Sequence, residues 1–224
     1  MIDLSVVKGL AARTLLGTSL ILTASRGVHA QMPGLPVLQN GFSNAGITIA
    51  GNYGQSSDLV GYGAAVAWAP ASGRFQLSAG GGLATRERVG SGASYGARVA
   101  MAFGSSLKGG RFGLAPFAGM GAAKFDGKRV AQIPAGVGAG FRARLGATRG
   151  VAVFASPFYS WTQVSEPGIE SRQAGLLRVS LGADVALFPK MGLTLGWETG
   201  AVAKDGDPGA TGGIVGAGLS YAFR

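Results

Sequence analysis

The chain has 224 residues, of which 41 are glycine and none is cysteine, and it carries a formal net charge of +10 with only 13% charged residues. The missing cysteine excludes a disulfide framework, thiolate metal sites and cysteine nucleophiles. An apolar fraction of 47% is too high for disorder, and the glycines follow no G-X-Y period, so they belong to an ordered, non-collagenous fold.

Lys8 and Arg13 precede an apolar run from Thr14 to Ala24, which has the length of a secretory h-region and is too short to cross a bilayer as a helix. Val28-His29-Ala30 supplies small or apolar residues at the −3 and −1 positions of a cleavage site. The sequence is therefore read as a signal peptide over 1–30, a periplasmic lead-in over 31–44 and a barrel over 45–224. Cleavage after Ala30 removes His29, the single histidine, and takes Lys8, Arg13, Arg26 and Asp3 with it, leaving +8 of the +10. The remaining basic residues are scattered rather than grouped in a stripe. Nucleic acid is not an expected partner; lipid headgroups and small anionic solutes fit the charge better.

From residue 45 onward the pattern repeats every second residue. Val60, Tyr62, Ala64, Val66 and Trp68 alternate with Gly61, Gly63, Ala65 and Ala67. Phe75, Leu77, Ala79 and Leu83 oppose Gln76, Ser78, Gly80 and Gly82, and Tyr95, Val99, Met101 and Phe103 oppose Gly96, Arg98 and Ala100. Ile133, Val137, Phe141 and Leu145 oppose Gly136, Gly138, Gly140, Arg142 and Arg144. The same contrast separates Leu177, Val179, Leu181, Val185 and Leu187 from Arg178, Ser180, Gly182 and Asp184. A soluble sandwich would put Lys, Glu and Thr on its water face, whereas a membrane barrel meets lipid with its apolar face and needs small or polar residues in a narrow lumen. Ten strands are expected, near 45–54, 58–69, 74–86, 94–104, 111–124, 130–145, 151–163, 174–188, 193–203 and 214–223, with eight or twelve as alternatives. Tight links alternate with more polar ones, the short periplasmic turns and longer outer loops of an outer-membrane barrel. Trp68, Phe103, Tyr159, Trp161, Tyr221 and Phe223 fall where interfacial girdles belong. Pro116 and Pro157 lie in mid-strand, where bulges, or breaks that shift the register, are expected.

The last strand, Ile214 to Phe223, places Val215, Ala217, Leu219, Tyr221 and Phe223 on one face. Its alternation and its Tyr221-Ala222-Phe223 ending resemble the C-terminal assembly signal of small bacterial outer-membrane β-barrel proteins, with Arg224 following the aromatic as a departure. The resemblance implies an all-β, transmembrane, antiparallel up-and-down barrel in the bacterial outer membrane. Its implied partners are outer-membrane lipid and the barrel-assembly machinery. Enzymes of that class generally use a histidine, so the mature chain is expected to be non-enzymatic, without cofactor or metal. Two other readings stand beside this one: a secreted, lipocalin-like soluble binding protein, and an enzyme using the loop carboxylates Glu166 and Glu170. Asp205-Gly206-Asp207 offers oxygen ligands but lacks the spacing of a calcium loop. Gly136-Val137-Gly138-Ala139-Gly140 lies in a strand with no helix after it, so it is not a nucleotide loop.

The candidate functional residues are the charges that parity points inward: Arg98, Arg142, Arg144, Arg178, Asp184 and Glu198. They form either a polar network that closes the lumen or the lining of a narrow, anion-preferring passive channel. The small inner-face residues leave room for the arginines or for an open channel. Phe117, Phe154 and Phe158 would add bulk to the same face. The functional expectation is a structural or surface-interaction protein, or such a channel.

Overall fold

The computed structural model describes residues 45–56, 59–86, 90–107, 110–125, 127–144, 150–200 and 213–223. The signal peptide and lead-in read over 1–44, Asp205-Gly206-Asp207 and Arg224 lie outside these. The described elements are β1 (Gly46–Gln55), β2 (Leu59–Ala69), β3 (Phe75–Arg86), β4 (Gly90–Met101), β5 (Phe103–Leu107), β6 (Gly110–Phe125), β7 (Lys128–Arg144), β8 (Gly150–Glu166), β9 (Ile169–Phe188), β10 (Met191–Gly200) and β11 (Ile214–Phe223). They form one antiparallel sheet in which each strand pairs with its neighbours in sequence. β1 pairs with β11, and β4 and β5 both pair with β6 as successive pieces of one stave, so the sheet closes into a ten-stave barrel.

Parity assigns the two faces as expected. Ile49, Tyr62, Val66, Leu77, Tyr95, Met120, Val153, Leu181 and Leu219 point outward and are exposed, while Ser78, Ser94, Phe117, Phe154, Ser160 and Ser180 point inward and are buried. Large apolar side chains outside and small or polar ones inside invert the order of a water-soluble sheet, and the outside must therefore face lipid. On β8 the apolar outward series runs from Val151 to Trp161 and gives way to Gln163 and Ser165. Ten residues of strand span about 33 Å, or about 25 Å along the normal at a tilt near 40°, the height of an outer-membrane apolar band.

Strands β6 to β9 run past that band, to 16, 17, 17 and 20 residues. Two of the longer outer loops expected from the sequence are thereby corrected to short turns with glycine at positive φ, Gly127 (83°) and Gly168 (76°). Pro167-Gly168 has the fixed φ of proline followed by the left-handed residue of a type II turn. Tyr159 and Trp161 accordingly mark the upper edge of the apolar band instead of a strand end.

The expected register shift at the prolines does not occur. Pairing is interrupted between Met101–Ala102 and Ala115–Pro116, between Gly119–Met120 and Ile133–Pro134, and between Val137–Gly138 and Ser156–Pro157, and each ladder resumes in the same register. A proline lacks the N–H that would reach one neighbour, so only that neighbour's ladder is lost. Pro116 still pairs with Val137, Pro134 with Ser160 and Pro157 with Val179 on their other sides. The strand break caused by Pro116 thus falls in the adjoining stave, between β4 and β5, while on the β3 side the Ala102 N–H still donates to the Arg74 carbonyl at 2.7 Å.

Candidate functional site: a layered lumen

Three layers fill the described lumen. At the end away from the termini, Phe125 at the top of β6 packs against Ala84 of β3 and Ile214 of β11, both buried. β6 and β11 lie five staves apart, so this apolar contact crosses the barrel. A β-carbon on Gly92 would strike the Phe125 ring, which is why the cross-strand partner of Phe125 carries no side chain.

The next layer holds three of the inward charges. The Arg178 Nη2 lies 3.2 Å from Glu198 Oε1, and the Ser180 hydroxyl donates to the other carboxylate oxygen at 2.8 Å. Arg178 and Glu198 are 3% and 4% exposed, so bulk water does not reach the pair. Arg98 is stacked with its guanidinium carbon 3.5 Å from the centre of the Phe117 ring, a cation–π contact in a desolvated site. Phe117 meets Phe158 at 6.0 Å between centroids, and the Arg178 guanidinium carbon lies 6.0 Å from the centre of the Phe158 ring. Arg98 and Glu198 sit on opposite staves yet lie within coulombic reach of each other. Arg98, Phe117, Phe158, Arg178 and Glu198 thus form one connected series running from β4 to β10. Beside it, the Gln132 amide donates to the buried Ser160 hydroxyl.

Inner-face glycine makes room for rings as well as for arginines. A β-carbon on Gly136 would collide with Phe158, its direct cross-strand partner, and one on Gly182 with the Phe154 ring, again its partner. Gly182 and Gly92 are thus seats for rings, Gly136 allows close approach of the Phe158 backbone, and Gly119 leaves room beside Arg98.

The third layer, toward the termini, contains Arg142 and Asp184 within coulombic reach of each other, with the Thr194 hydroxyl donating to Asp184 Oδ1. These two residues border a cavity of about 300 Å³. Arg144 ends β7, and its side chain lies outside the described residues. The structure thus brings Arg98, Arg178 and Glu198 into one group and Arg142 and Asp184 into another, where the sequence grouped all the inward charges. Glu166 and Glu170, read as loop carboxylates, lie in strands β8 and β9, and Glu166 is paired with Lys128 at 2.8 Å. Phe125 and Ile214 were not singled out from the sequence. Both carry the signal that found the others, since Ile214 shares the parity of Gly216 and Gly218, and Phe125 that of Phe117. Among the described residues there is no group of three or more His, Cys, Asp or Glu that could hold a metal.

On the outer face of β11, Val215, Leu219 and Phe223 are exposed to the lipid side, and the Tyr221 and Phe223 rings meet edge-on at 4.8 Å. The strand closes the barrel against β1 over nine paired residues.

A closed barrel with a lipid-facing apolar band and both described ends on one side is the architecture of a bacterial outer-membrane β-barrel protein, and the outer membrane is its location. No protein-family model and no curated sequence matches the chain. Solved structures do match in fold. LpxR from Salmonella typhimurium aligns with a TM-score of 0.50 at 9% identity, over 74% of this chain and 73% of that one. The β-domain of the Bordetella autotransporter BrkA aligns at 0.45 and 18%, over 80% and 100%. The outer membrane protease OmpT from Escherichia coli aligns at 0.43 and 8%, over 87% and 99%.

The expectation that the chain is not an enzyme is corrected: the barrel it shares with LpxR is a fold, and a fold does not rule out an activity. Removal of His29, the single histidine, would exclude histidine-dependent mechanisms alone. Hydrogen-bonded carboxylate–hydroxyl pairs, Glu198–Ser180 and Asp184–Thr194, are present inside this barrel.

Proposed function

We propose that this protein is an outer-membrane barrel closed to bulk solute, holding its rim above the membrane as a structural and surface-interaction element. The observation that supports this reading is the charged layer: two rings and an ion pair, all buried, join β6, β8, β9 and β10, and Glu198 lies within coulombic reach of Arg98 across the lumen. Breaking such a pair leaves an unpartnered charge in a site of low dielectric, at a cost of about 3–5 kcal/mol. The layer therefore resists opening. Above it, the Phe125–Ala84–Ile214 contact adds an apolar seal. The extended hairpins beyond the apolar band are held by polar rungs, among them Thr85–Ser91 and Ser165–Ser171 at 3.0 Å each.

The test is planar-bilayer conductance of the purified protein. The wild type should show no steady channel above the leak of the bilayer, and Phe117→Ala combined with Phe125→Ala should create one. A stable, anion-selective conductance in the wild type would instead support the passive channel and refute the closed barrel.

A further inference from the structure

On β6 the outward apolar series runs from Phe112 to Ala122 and gives way to Lys124, and on β7 it runs from Phe141 to Ala131 and gives way to Arg129. The first non-aromatic polar residues above the apolar band on β1, β3, β4, β8 and β9 are Gln55, Thr85, Ser91, Gln163 and Gln173, all neutral. Among the described strand side chains, Lys124 and Arg129 are therefore the only charges on the lipid-facing side, and every described carboxylate has inward parity. Glu166, on the same rim, is already held by Lys128. Lys124 and Arg129 are direct cross-strand partners, and both are exposed. Like charges so placed repel each other and weaken a sheet. An anion between them turns the repulsion into two charge-assisted contacts. One rung lower, Ala122 faces Ala131 in the same ladder, and these methyl groups are bordered by the exposed side chains of Tyr95, Met120 and Ile133.

We propose that Lys124 and Arg129 form a docking site for a phosphomonoester lipid in the leaflet away from the termini, with its phosphate between the two cations and a chain descending over Ala122 and Ala131. Depth selects a lipid over a free anion: the pair stands on the first charged rung above the apolar band, at the level of headgroups. Charge selects a monoester, which carries roughly −1.5 to −2 at neutral pH and so matches two cations. A phosphodiester headgroup has a single charge to share between them. Geometry agrees, since a guanidinium offers a planar fork to two phosphate oxygens and leaves the third for the ammonium. The site lies outside the barrel and stands whether or not the lumen conducts.

The experiment is native mass spectrometry of the folded protein released from detergent micelles that contain dioleoyl phosphatidate, phosphatidylglycerol or phosphatidylcholine, with inorganic phosphate as a further probe. One phosphatidate should be retained, and phosphatidylglycerol should bind about fivefold more weakly, the attraction of roughly one basic residue at a membrane surface. Lys124→Gln and Arg129→Gln should each weaken phosphatidate about fivefold, and together about thirtyfold, while keeping the heat-modifiable gel migration of a folded barrel. Lys128→Gln, on the same rim but with inward parity, should leave retention unchanged. Equal retention of the three lipids, undiminished phosphatidate on the folded double variant, or a loss with Lys128→Gln as large as with Arg129→Gln would each overturn the site. Inorganic phosphate bound as tightly as phosphatidate would refute a lipid as its occupant.

Discussion

Glu198 is the residue on which the charged layer turns. Its carboxylate meets Arg178 at 3.2 Å, accepts from Ser180 at 2.8 Å and lies within coulombic reach of Arg98 across the lumen. Glu198→Gln keeps the shape and removes the charge, so two buried guanidinium groups lose their counter-ion together. Removing one partner of a buried pair costs about 3–5 kcal/mol, which corresponds to roughly 150-fold to 5,000-fold in the unfolding equilibrium. Urea unfolding in micelles, followed by tryptophan emission, should show the midpoint fall with an unchanged slope. The double variant Glu198→Gln with Arg178→Met should recover more than half of the loss, because it removes the charges as a pair and restores apolar volume beside Phe158. A single variant within about 1 kcal/mol of wild type, the range of exposed pairs, would refute the claim that the layer is dry and interlocked.

Gly182→Ala should destabilise the barrel by about 1–3 kcal/mol through collision with the Phe154 ring, and adding Phe154→Ala should relieve part of it; heat-modifiable migration at graded temperature reads both. Lys128→Ala should change stability by no more than about 1 kcal/mol, since the Lys128–Glu166 pair is solvent-exposed, and the same urea assay checks it. In the cysteine-free background, Ala84→Cys should resist a charged methanethiosulfonate reagent added from outside and become reactive when Phe125→Ala removes its cover. Phe223→Ala should lower the fraction of protein assembled in the outer membrane relative to the unassembled pool, measured by fractionation; an unchanged fraction would argue against the C-terminal aromatic as an assembly signal.

Alternation carried most of the architecture, because a lipid-facing strand and a lumen-facing strand write opposite chemistry on alternate residues. Of the set it pointed inward, Arg178 and Glu198 are buried and Arg142 and Asp184 border the termini-side cavity. Direction is not depth, however. Parity cannot say that Glu198 reaches Arg178 while Asp184 belongs with Arg142, since strand tilt and stagger set which inward residues share a level. Phe125 escaped notice because the polar residues after it read as a loop, although β6 continues through it. The prolines were legible as a disturbance but not in kind: the sequence shows a missing donor, while which neighbour loses the bond depends on which way that residue's N–H would have pointed. The glycines were legible in part for a related reason. A glycine's partner ring lies on another strand, distant in sequence from the position it fills.

The three interrupted ladders lie side by side, at Pro116, Pro134 and Pro157, in four adjoining staves. A hydrogen-bonded barrel wall resists bending like a stave-built cask, and here the hoops are cut in one sector. Lateral pressure from the surrounding lipid will therefore flatten the cross-section there first. Phe117 and Phe158 pack against each other behind that sector, so the softest part of the wall is the part buttressed from within.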